Sequence, residues 1–184
     1  EMIKVRKAAI IDPRAAWETY EPATHPASEA PIQTPDAADV AKRFDEESKA
    51  YLKARFEYLT ARLRKMMARN ADDPELANEL GIVYIQHGKT EEAVKEFSRA
   101  VELDPSNAAA LTNLGNLSYM EGKFDEALAH YQKAADEDPQ DAGLWMNLTR
   151  AALKSGKAAE AGEFSKKALA LDPGLEPAVQ SLLK

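Results

Sequence analysis

A chain of 184 residues, 45% hydrophobic and 30% charged, has an ordinary globular composition and room for one or two domains. It contains no cysteine, which excludes disulfides, thiolate metal sites and cysteine nucleophiles. The net charge of −7 is uneven: residues 71–184 hold 11 Lys/Arg against 20 Asp/Glu, a poor match for a phosphate backbone, so no nucleic-acid partner is expected.

Residues 1–35 read as an extended leader. Pro13, Pro22, Pro26, Pro31 and Pro35 prevent a continuous helix. Two readings stand for this stretch. One is a flexible arm. The other is a docking arm in which Ile3, Val5, Ile10 and Ile11 lie along a surface, anchored by Trp17 and Tyr20. The surface is its own groove, where the arm would compete with partners, or another chain. No apolar run reaches the length of a membrane span, and no signal-peptide pattern opens the sequence. Membrane association is expected only through an anchor upstream of Glu1. The expected location leans to the periplasmic or extracytoplasmic side over the cytoplasm.

Residues 36–70 contain neither Gly nor Pro, and predict one long helix from Asp36 to about Arg69. At 1.5 Å per residue it spans about 50 Å. Val40, Phe44, Tyr51, Leu52, Phe56, Leu59, Leu63, Met66 and Met67 fall mostly three or four apart, which predicts a single apolar face. The helix reads as an N-terminal flank, with Leu63 and Met66 standing 34 residues before Phe97 and Ala100. The alternative is a coiled-coil or dimerisation helix.

From residue 74 onward the landmarks recur every 34 residues. Asp104-Pro105, Asp138-Pro139 and Asp172-Pro173 mark one series, and Gly88-Lys89, Gly122-Lys123 and Gly156-Lys157 a second. Ala93, Ala127 and Ala161 repeat in step with Ala100, Ala134 and Ala168. Three helical hairpins follow. First helices are expected at about 75–87, 108–121 and 142–155, and second helices at about 91–103, 124–137 and 158–171. The glycines permit positive φ at the turns, and the prolines stop each second helix.

This array resembles the tetratricopeptide repeat family, and of its members the bacterial ones. The likeness rests on Leu80-Gly81, Tyr84, Ala93, Phe97 and Ala100 in the first repeat, and on Leu111, Leu114-Gly115, Ala127, Tyr131 and Ala134 in the second. The third offers Trp145, Leu148, Ala161 and Ala168. Thr149 replaces the small glycine and Ser165 the large aromatic, so the third repeat is expected to pack more loosely. Ser118 and Ala152 stand where the first repeat has Tyr84.

The resemblance implies an all-α, right-handed α-α superhelix. Its repeats are 74–107, 108–141 and 142–175, with a capping helix at 176–184. It also implies a concave groove lined by the first helix of each repeat. The family's groove positions fall on Asn78 and Ile82, on Asn113, Asn116, Tyr119 and Met120, and on Met146, Asn147, Arg150 and Lys154. The asparagines resemble a ladder that holds an extended peptide backbone, since an amide both donates and accepts. Tyr119, Met120, Met146 and Leu153 are expected to be partly core. Lysines that would grip a C-terminal carboxylate are missing, with Gly143 at one such position.

His25, His87 and His130 form no metal-binding spacing, and no phosphate loop or nucleophile elbow is present. His130 is expected on the surface of a second helix. Glu91-Glu92 and Asp125-Glu126 open second helices, where the helix dipole favours them. The expected function is a non-catalytic, cofactor-free and metal-free scaffold. It binds a peptide segment of a partner protein and recruits it into a larger assembly. The alternative is an architectural, self-assembling subunit built on the arm and the long helix.

Overall fold

The computed structural model describes residues 36–183. The proposed arm residues Ile3, Val5, Ile10, Ile11, Trp17 and Tyr20 lie outside them. The chain divides into two units, residues 1–43 and 44–184. In the first, the described residues 36–43 begin a helix capped by Asp36, whose Oδ1 accepts from the Ala38 amide at 3.2 Å.

The described residues are all-α. Helix α1 covers Ala37–Met67, and three hairpins follow: α2 (Pro74–Gln86) with α3 (Thr90–Leu103), α4 (Ala108–Met120) with α5 (Phe124–Glu137), and α6 (Ala142–Lys154) with α7 (Ala158–Leu171). A 3₁₀ turn at Pro173–Leu175 leads into α8, Glu176–Leu182. None of these helices is long and apolar enough to cross a membrane.

The 34-residue step has a local cause at every boundary. Gly88, Gly122 and Gly156 take φ of 69°, 77° and 75°, the left-handed region that glycine enters without strain. Each closes its first helix with the same two bonds. At Gly122, the Lys123 amide donates to Ser118 O at 2.9 Å and the Gly122 amide to Tyr119 O at 3.1 Å. Each Asp-Pro pair stops a second helix, and its carboxylate then accepts an amide two residues on: Ser106 at 3.0 Å, Gln140 at 3.3 Å and Gly174 at 2.9 Å. A further series caps the first helices. Asp73, Asn107 and Asp141 accept from the opening amides of α2, α4 and α6.

Within the second unit, one apolar cluster joins α1 through Leu63 and Met67 to Leu80, Tyr84 and Phe97. A second runs from Leu111 through Trp145 and Leu148 to Val179 on α8, which covers the last hairpin. Tyr84 reaches α1, its hydroxyl accepting from Arg64 Nη2 at 2.8 Å. Ser118 and Ala152 are buried at the equivalent places.

Two expectations are corrected. Helix α1 does not have one apolar face. Leu63 and Met67 are buried, with Phe56 and Leu59 packed against the same cluster, while Phe44, Tyr51, Leu52 and Tyr58 are exposed. Met66 is exposed too, and Met67 takes the inward place beside Leu63 in the cluster with α2.

The third repeat is also not loose: α6 and α7 pair as closely as the other hairpins. In the first two repeats a glycine faces a ring. A Cβ on Gly81 would lie 2.5 Å from the Phe97 ring, and one on Gly115 would lie 2.6 Å from Tyr131. In the third, both partners change together. Thr149 is fully buried and donates to Trp145 O at 2.8 Å, and Ser165 is buried and donates to Gly162 O at 2.9 Å. Side-chain volume has moved from one helix to the other.

Candidate binding groove

The first helices of the hairpins line a largely apolar cavity of about 390 Å³. From α2 come Ile82, Ile85 and Gln86. From α4 come Asn113, Asn116, Leu117, Tyr119 and Met120, and from α6 come Asn147 and Arg150. Arg150 is the one charged side chain on this wall among the described residues.

Phe97 and Tyr131 also reach the cavity, although they belong to the second helices α3 and α5. Counting positions along the first helices alone misses them. The signal was Gly81 and Gly115: with no Cβ in the way, each ring passes its partner helix and forms part of the floor.

Three amides on the wall are held by bonds within the protein. Asn113 Nδ2 donates to Asn78 Oδ1 at 2.9 Å. Tyr131 Oη donates to Asn116 Oδ1 at 2.8 Å. Burial pushes the Tyr131 hydroxyl up to about 12, so it stays protonated and keeps donating. Arg150 Nη2 donates to Asn147 Oδ1. The Asn113 oxygen and the Asn116 and Asn147 nitrogens are left without partners among the described residues. The wall therefore offers both an acceptor and donors.

Of the groove positions read from the sequence, Ile82, Asn113, Asn116, Tyr119, Met120, Asn147 and Arg150 come together here. Asn78 is buried behind Asn113. Met146 is buried and lines a second hollow, of about 570 Å³, between α6 and α8. Lys154 lines neither. Met120 is not core: at 80% exposure it stands free at the cavity rim, because it is the last residue of α4 and no helix packs over it.

His130 is half-buried, not on the surface as expected, beside Leu114, Ser118 and Glu126. Its Nδ1 is buried without a hydrogen-bond partner. Burial holds its pKa below the ordinary 6.5, opposed in part by Glu126 at 3.9 Å. The unfolded chain thus takes up the proton more readily. The stability this neutral imidazole contributes is full above pH 6.5 and is lost as pH falls below it. Between pH 7 and 5 the parent Tm is expected to drop further than that of His130→Gln. Equal drops in a thermal melt would discount the histidine.

Models of the tetratricopeptide repeat match residues 78–142 and 118–184. The chain belongs to the tetratricopeptide repeat family. Solved relatives of this tetratricopeptide repeat protein share the fold. A crystal structure of MamA is 24% identical, with a TM-score of 0.63 over 73% of this chain and 78% of that one. PilF from Pseudomonas aeruginosa is 26% identical, with a TM-score of 0.61 over 76% and 67%. The N-terminal domain of stress-induced protein-1 from C. elegans is 24% identical, with a TM-score of 0.53 over 60% and 94%. In another MamA structure the chain spans only 64% of the relative's length. No curated protein matches. Solenoid repeats of this kind present concave surfaces for binding proteins.

Proposed function

We propose that this tetratricopeptide repeat protein is a non-catalytic scaffold that holds an extended peptide segment of a partner in the cavity between α2, α4 and α6. The observation that carries the reading is the pairing of an apolar floor with three pre-oriented amides and Arg150. Amides held by their neighbours lose little freedom on binding, which lowers the cost of association. The favoured segment carries a large apolar side chain for the apolar wall of Ile82 and Ile85 and the rim at Met120. It carries an acidic group for Arg150 and leaves its backbone for Asn113, Asn116 and Asn147.

The test is selection from a phage-displayed library of random twelve-residue peptides, followed by calorimetry. Asn147→Ala combined with Arg150→Ala is expected to weaken the selected peptides at least tenfold, with Tm nearly unchanged. Asn113 is left intact, because it satisfies the buried Asn78 and its loss would cost stability. A selection that enriches nothing, or peptides that bind the variant as well as the parent, would remove the groove reading.

A further inference from the structure

The outward stripe of α1 has a feature that packing among the described residues does not use. Phe44, Tyr51 and Tyr58 are 73%, 65% and 66% exposed and stand at sevenfold spacing. Glu47 and Arg55 lie between them, both exposed and neither in an ion pair among the described residues. At 100° per residue these five positions fall within an arc of about 80°, away from the arc of Leu63 and Met67. The row runs Phe44, Glu47, Tyr51, Arg55, Tyr58, with steps of three, four, four and three. It reads the same in both directions about Tyr51, and the charges on the two sides are opposite.

We infer that this stripe is the docking surface for a second copy of the chain, laid antiparallel across a twofold axis at Tyr51. That pairing sets Phe44 against the partner copy's Tyr58. It also sets Glu47 against the partner copy's Arg55, and both contacts occur twice. An isologous interface needs this self-complementarity, whereas a foreign partner would not require it. The steps of three and four are those of helices that interlock along a seam. Tyrosine suits the edge, because its ring is covered while its hydroxyl stays wet. Six rings cover roughly 600–1,000 Å² in total, at the low end of specific contacts, so the dimer is a reversible one. A parallel pair would set Glu47 against Glu47 and Arg55 against Arg55, which like charges oppose.

The proposal rests on α1 alone and is independent of the groove. Its test is sedimentation equilibrium of the 184-residue chain across a range of concentrations. The parent chain is expected to dimerise. Glu47→Arg and Arg55→Glu are each expected to weaken the dimer at least tenfold, and the two together to restore it. Because the chain has no cysteine, orientation can be read directly. Glu47→Cys mixed with Arg55→Cys should give the mixed disulfide, with little self-linking of either. Far-ultraviolet circular dichroism is expected to be unchanged throughout, since all these positions are exposed. A parent that stays monomeric to several hundred micromolar overturns the proposal. So does a double reversal that fails to restore association, or self-linking that outruns mixed linking.

Discussion

Replacing Phe97 with alanine is expected to lower the free energy of unfolding by about 3–5 kcal/mol, read from the shift of the urea midpoint. Small domains have about 5–15 kcal/mol in all, so this is a large share. The ring is fully buried and fills the space left by the missing side chain of Gly81. The complementary change, Gly81→Val, drives a side chain into the ring and is expected to cost about 1–3 kcal/mol. The third repeat indicates how the two sides compensate, since it carries Thr149 and Ser165 at the same places. Gly81→Thr with Phe97→Ser is therefore expected to cost less than Gly81→Thr alone and Phe97→Ser alone summed. Strict additivity, within about 0.5 kcal/mol, would show that the two sides do not compensate.

Trp145→Ala is expected to cost a similar amount, about 3–5 kcal/mol, but with a different spatial pattern. The indole is buried against Phe164, and its Nε1 donates to Pro139 O at 2.9 Å. Lys167 Nζ stands 4.1 Å over the ring centre. The residue thus joins α6 to α7 and to the turn before α6. Because each repeat contacts only its neighbours, the loss is local. Amide exchange should speed up first in α6, α7 and α8, while α2 and α3 keep their protection. Uniform acceleration in all helices would overturn this picture. Trp145→Phe keeps most of the bulk and leaves the Pro139 carbonyl unpaired, at about 1–2 kcal/mol.

The hairpins were legible in the sequence because their boundaries are made by residue types with few substitutes. A left-handed turn at Gly122 and a helix stop at Pro139 are local requirements, so they recur at a fixed step. Helix α1 was less legible. Apolar residues on two sides of one helix, such as Tyr51 and Phe56, still sit three to five apart and merge into one apparent stripe. Which of Met66 and Met67 turns inward depends on the neighbouring α2, and nothing local decides it. The groove was legible along α4 and α6, where Asn113, Asn116, Asn147 and Arg150 meet. It was not legible at Phe97 and Tyr131, whose reach depends on what the opposite helix lacks. Nor was the burial of Asn78, which is fixed by a partner 35 positions away.

The shift from glycine and ring to threonine and serine means that the repeats are not interchangeable units. Duplicating residues 108–141 would lengthen the stack and add another aromatic patch to its hollow side. Duplicating residues 142–175 would lengthen the stack equally and add a wall with no such patch. Aromatic surface on the hollow side and overall length can therefore be varied separately in this molecule, by choosing which segment is copied.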